Sequence, residues 1–137
     1  MKIEDKKKIA QILKDNERWP VIIEGISAKL FKNAVVIPAS IPSSELGTKI
    51  DDKGNIIFPD WLNQIKKKEN LDQPIIVCIE GIEKVDPDDQ QKFYGMLKYN
   101  GINGYRFSRA TRIVIATSDA SKISKGISDL ALLVKVE

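Results

Sequence analysis

Pro74-Ile75-Ile76-Val77-Cys78-Ile79-Glu80-Gly81 is the most apolar stretch of the chain, and it stops abruptly at an acid and a glycine. Its apolar run is too short for an ordinary helix and shows no alternation of apolar with polar residues. It predicts an interior strand of a parallel sheet, covered on both faces. Downstream, Asp86-Pro87-Asp88-Asp89 is a helix start. Asp86 stands where a side chain can cap, Pro87 fits the first helical position, and two acids fall in the electropositive first turn. Phe93, Met96 and Leu97 supply that helix with a buried face, and Asn100-Gly101 ends it. Residues 102–108 predict a hairpin around Asn103-Gly104, residues 112–117 (RIVIAT) another strand, residues 120–126 a loop or short helix, and residues 130–136 a last strand.

Upstream of the same stretch, residues 3–16 place Ile9, Ile12 and Leu13 on one face and predict an opening helix that Pro20 ends. Val21-Ile22-Ile23 and Ala34-Val35-Val36-Ile37 are short β-branched runs closed by Gly25 and Pro38. Residues 48–58 (TKIDDKGNIIF) set an apolar-containing arm on each side of the turn-forming Asp51-Asp52-Lys53-Gly54-Asn55 and predict a second hairpin. Trp61, Leu62 and Ile65 mark a short amphipathic helix, with Lys66, Lys67 and Lys68 at its electronegative end. Strands alternating with helices predict an α/β fold of three layers: a mainly parallel sheet of about five strands, with two hairpin inserts. In such sheets sites form at the carboxyl ends of the strands, which here carry Glu24-Gly25, Glu80-Gly81 and Ser118-Asp119.

The 137 residues, 42% of them hydrophobic, suffice for one domain spanning residues 1–137. The chain contains no His, which removes Ser-His-Asp and Cys-His nucleophilic sites and His-ligated metals. Its one Cys, Cys78, allows neither an internal disulfide nor a thiolate cluster, and its apolar strand predicts an inert core thiol. The charged segment 1–8 is not followed by an apolar leader, and no apolar run approaches the roughly 18 residues of a membrane span. The expected setting is therefore the cytosol, away from membranes. The net charge of +3 does not by itself call for nucleic acid.

Residues 43–119 resemble the core of an AAA+ ATPase, in particular the MoxR-like and dynein-related branch. The segment SSELGTKIDDKGNIIFPDWL resembles the small hairpin and helix after the second core strand. IIVCIEGIEKVDPDDQQKFYGML resembles the Walker B strand and the helix that follows it. NGINGYRFSRATRIVIATSD resembles the hairpin, fourth strand and sensor-1 tip, and ERWPVIIEG resembles the lead into the first strand. The resemblance implies a P-loop-NTPase-like fold, and three departures from the family pattern imply lost catalysis. After the first strand an AAA+ enzyme carries G-x-x-x-x-G-K-[ST], whose backbone N–H groups wrap the phosphates. Here Gly25 is followed by ISAKLFKNAVVIP, and only residues 26–34 precede the next strand. Lys29 or Lys32 could replace the phosphate lysine only as a point charge without an amide cradle; the plainer reading is two solvated lysines on a connector. Within the Walker B resemblance Glu80 takes the position of the Mg²⁺-associated Asp, and Gly81 takes that of the water-activating Glu, leaving no general base. Glu83 nearby reads as a solvated loop acid. At the sensor-1 tip Asp119 replaces Asn and would repel a γ-phosphate, while neutral Ser118 could donate a hydrogen bond. The chain runs only to Glu137, so the small helical lid with its nucleotide-contacting Arg is expected to be missing.

The resemblance thus implies a pseudo-ATPase, not an enzyme, with no cofactor and no metal. It would serve as a structural or regulatory partner of another protein, either an active AAA+ ATPase or further copies of itself. Two other readings stay open: a residual ATP-binding enzyme using Glu80 and Ser118, and a nucleic-acid accessory protein. The latter would use Arg106, Arg109 and Arg112, which cluster near the second hairpin and could touch nucleic-acid phosphates or a neighbour's nucleotide. Ordinary surface charge explains the three arginines as well, and a solvated helix end explains Lys66–Lys68. Tyr94, Tyr99, Tyr105 and Phe107 interleave with basic residues and could stack on single strands, but packing accounts for them more simply, as it does for Trp19 and Trp61. Helix capping accounts for Asp86, Asp88 and Asp89 without a cation.

Overall fold

A computed structural model describes residues 3–16, 19–71 and 74–136. Glu17 and Arg18, in the segment leading into the first strand, lie outside the described residues. The short apolar runs form five parallel strands: β1 (Val21–Glu24), β2 (Val35–Pro38), β5 (Ile75–Glu80), β8 (Thr111–Thr117) and β9 (Leu132–Lys135). They lie side by side in the order β2-β5-β8-β1-β9. Both hairpins form as expected, β3 (Lys49–Ile50) with β4 (Ile56–Ile57) and β6 (Gly101–Ile102) with β7 (Tyr105–Arg106), each antiparallel. The turn of the second has Asn103 and Gly104 both at positive φ (48° and 83°), the mirror-image turn that matches strand twist.

Alternate residues of each strand feed two cores. Ile22, Ile37, Val77, Ile79, Ile113 and Ile115 face one side of the sheet. There they meet α3 (Asp60–Asn70), α5 (Tyr94–Tyr99) and α6 (Lys125–Ser128) through Leu62, Ile65, Met96, Leu97 and Ile127. Val21, Ile23, Cys78, Val114 and Ala116 face the other side and pack with Ile9 and Leu13 of α1 (Ile3–Asp15) and with Ala28 of the β1–β2 connector. Two-sided cover is why β5 reads as one continuous apolar run: Val77, Cys78 and Ile79 are all fully buried.

The connector from β1 to β2 passes over β8 and β5. Three strand spacings are roughly 14 Å, and the nine residues 26–34 can reach about 30 Å. The crossing therefore needs no helix, only the 3₁₀ turn at Ala28–Leu30, whose Ala28 is pressed onto the sheet. This connector runs along the α1 face in one direction. The later crossovers run along the α3 face in the other, so all share one hand, as parallel crossovers require. The chain thus leaves the adjacent strands β1 and β8 toward opposite faces. Beyond their carboxyl ends is the position where open α/β sheets place ligands.

The helix predicted after Asp86 is broken into α4 (Pro87–Gln90), a 3₁₀ turn (Gln91–Phe93) and α5. Asp86 occupies the N-cap position but its side chain makes no capping bond; Asp88 and Asp89 supply the negative charge in the first turn. No helix of the described residues is long and apolar enough to cross a membrane.

Candidate functional site

The carboxyl edge is crossed by the protein's own hydrogen bonds. Gly25 N–H donates to the Thr117 carbonyl (2.9 Å), and Val136 N–H to the Glu24 carbonyl (2.9 Å). Glu24 Oε2 accepts from Ala120 N–H at 2.7 Å. Gly25 adopts φ 101°, and a Cβ there would collide with the Val136 carbonyl oxygen, so the last strand's exit lies directly on the glycine. A phosphate needs several backbone N–H groups converging on it. Around this edge the N–H groups of Gly25, Asp119, Ala120, Ser121 and Val136 already have partners inside the chain.

The residues singled out from sequence come together at this edge. Glu83 takes a hydrogen bond from Thr117 Oγ1 at 3.0 Å and another from Ser118 Oγ at 3.2 Å. Glu83 is therefore not the solvated loop acid expected. Burial pushes its carboxyl up, but its own backbone N–H, Thr117 and Ser118 outweigh that and hold it below the ordinary value. Asp119 accepts from both the N–H and the hydroxyl of Ser121, which hold its carboxyl below the usual carboxylate range, with Lys122 and Lys135 adding to the effect. Glu80 is exposed at the end of β5, and Gly81 turns the chain at φ 81°. Glu24, Glu80, Glu83 and Asp119 gather at this edge, with Lys122 and Lys135 beside Asp119. Lys29 and Lys32 are exposed on the connector.

Gln90, which attracted no attention as sequence, holds the loops of this edge together. It is fully buried. The two hydrogens of its Nε2 are shared among the carbonyls of Ile82, Val85 and Lys122 at 3.0–3.1 Å, and its Oε1 accepts from Ser124 N–H at 2.7 Å. The loop after β5 and the loop after β8 are thereby joined through one amide. The only advance signal was an amide side chain one residue past the acids of a helix start.

The three arginines are not one basic cluster. Arg112 Nε donates to the Leu13 carbonyl at 2.8 Å, and its Nη1 to the carbonyls of Arg109 and Thr111. It fastens the end of α1 to the start of β8. Arg106 and Arg109 are exposed. Lys66 lies over the Phe58 ring at 3.8 Å, and Lys68 donates to the Asn33 carbonyl at 2.6 Å, so both are fixed in place. Phe107 and Trp61 are buried edge to face, whereas Trp19, expected to pack, is 56% exposed. Tyr105 donates to Glu69 at 2.6 Å; burial first and that carboxylate second push its phenol up to about 12. Burial, with the Glu80 charge behind it, pushes the Cys78 thiol up to about 12, which leaves it protonated and unreactive. Among the described residues no three His, Cys, Asp or Glu are grouped to hold a metal ion.

A concavity lies on the α3 face, between α2 (Ser43–Leu46), α5 and the β6–β7 hairpin. It has a volume of about 660 Å³. No protein-family model matches the chain, and no curated protein matches it.

Proposed function

We propose that the chain is an AAA+-like core without a phosphate loop, and that it works by contact with another protein rather than by nucleotide turnover. Its partner on this reading is an active ATPase of the related kind or a further copy of itself. Two features support the family part of the reading. The sheet places its first strand between its fourth and fifth. The first connector crosses the sheet to reach an outer second strand, as an AAA+ strand order requires. The observation that carries the functional part is the carboxyl end of β1 and β8, where the N–H groups of Gly25, Ala120 and Ser121 are bonded to Thr117, Glu24 and Asp119 rather than turned toward a ligand. On this reading Glu80, Gly81, Ser118 and Asp119 are vestiges of a nucleotide site, and the protein needs no cofactor.

Isothermal titration of the full chain with ATP and Mg²⁺ tests the proposal. The expected result is no saturable heat up to millimolar nucleotide. Micromolar affinity, abolished by substituting Glu80 and Ser118 together, would overturn it in favour of an ATP-binding enzyme. The nucleic-acid reading has lost one of its three cations, since Arg112 is bound to backbone carbonyls.

A further inference from the structure

Gly95 is the one glycine of eight whose presence nothing inside the chain explains. Gly25, Gly54, Gly81 and Gly104 have positive φ, and a Cβ at Gly25, Gly47, Gly101 or Gly126 would press on a neighbouring atom at 3.3 Å or less. Gly95 sits within α5, in helical conformation, and a Cβ there would meet nothing within 4 Å. A glycine inside a helix weakens it relative to alanine. The empty volume in front of Gly95 is the 660 Å³ groove between α2, α5 and the β6–β7 hairpin.

The groove has a definite chemistry. Ile102 gives it apolar surface over a floor of the buried Leu46 and Met96, and Tyr99, 67% exposed, stands beside it. Only two charged residues line it, Lys92 and Arg106, and no acid does. The Lys92 ammonium is already held by the Ile41 carbonyl and the Asp89 carboxylate. Arg106 is exposed, and its guanidinium has no hydrogen-bond or ion-pair partner among the described residues. A planar guanidinium beside an apolar trough suits a carboxylate next to an aliphatic side chain. The hairpin wall pairs strand to strand only with itself.

We propose that this groove binds an extended acidic segment of another protein, with a carboxylate on Arg106 and an aliphatic side chain against Ile102, where the chain passes over Gly95. The proposal rests on the contact reading above and gives that contact a place and a chemistry.

Amide chemical shifts of the full chain, titrated with acetyl-Leu-Asp-Leu-Glu-Leu-amide and with its lysine counterpart acetyl-Leu-Lys-Leu-Lys-Leu-amide, test it. The acidic peptide is expected to move the amides of Gly95, Gly101 and Gly104 with submillimolar affinity, and the lysine peptide to bind at least tenfold more weakly. Arg106→Glu, at an exposed position, is expected to weaken the acidic peptide at least tenfold. Gly95→Leu is expected to fill the groove and remove binding while the melting temperature stays equal or rises. No shift at several millimolar acidic peptide, equal response to both peptides, or binding retained in Gly95→Leu would overturn the proposal. A mass that doubles with concentration, and does so no longer in Gly95→Leu, would also overturn it by making a second copy the occupant. Addition of ATP and Mg²⁺ in the same experiment separates the two readings. Shifts at Gly25 and Asp119 would end the contact reading while leaving the groove signals to be judged on their own.

Discussion

Gln90 carries more of the carboxyl edge than any acid the sequence advertises. One amide serves three carbonyls and one N–H drawn from both loops that follow interior strands. A buried amide so placed is hard to replace, because truncation strands each of its partners without water. Gln90→Ala is expected to destabilise the fold by about 2–4 kcal/mol, read as a lower urea midpoint with unchanged slope. An unchanged midpoint would mean that the two loops hold together without it. Arg112 is the corresponding residue at the opposite edge of the sheet, where its guanidinium ties α1 to β8. Its long side chain made it look like surface charge, yet it acts as a donor to main-chain carbonyls.

At the scale of elements, the tips of β5 and β8 are coupled through a single carboxylate. Glu83, just past the end of β5, accepts from Thr117 and Ser118 at the end of β8. Its folded-state carboxyl lies below the ordinary 4.5, so the charged form is the one the fold favours. Its contribution to stability is therefore full above about pH 4.5 and is lost as pH falls through the folded value. Melting temperatures of the native chain and of Glu83→Gln, measured from about pH 7 to about pH 3, are expected to differ most at neutral pH and to converge in acid. A gap that stays constant across the range would exclude the carboxylate as its cause. The β3–β4 hairpin is built by the same local logic. Asp51 Oδ1 accepts from the N–H groups of Lys53 and Asn55 at 2.9 and 2.8 Å, and these bonds, Asn55 first, hold its carboxyl low. The turn is thus self-supporting, while its strands leave Ile50 and Ile56 74% and 63% exposed.

Across the whole molecule, both cores hang on the same three interior strands. Val77 and Ile79 face α3, and Cys78 between them faces α1. Neither core can dissolve without disturbing the sheet that the other needs. In a Trp19→Phe background, Trp61 fluorescence reports one core and the reactivity of the Cys78 thiol reports the other. Their urea transitions are expected to coincide. Separate midpoints would show that α1 and the connector come away first. The same economy explains how a connector of nine residues crosses the sheet: with Ala28 packed flat on the strands, it serves as the cover that a helix would otherwise provide.

The local pattern of residues determined the strands and hairpins, though neither the break in the helix after Asp86 nor the short α2. Runs such as 75–79 have no other low-energy use than a strand covered on both sides. Asn103-Gly104 and Asp51-Asp52-Lys53-Gly54-Asn55 specify their turns through backbone conformation alone, and the shortness of 26–34 is legible by counting. The three strand ends expected to form a site do lie along one edge, because parallel strands bring their carboxyl ends together. What the tertiary structure alone decided is which of these groups answer one another. Glu24 meets the Ala120 N–H across 96 residues, Arg112 meets the Leu13 carbonyl across 99, and Glu83 meets Thr117 across 34. Strand order belongs to the same class. These pairings follow from how whole strands stack and twist, so a carboxylate or guanidinium that looks free in the chain is assigned its partner only when the sheet closes around it.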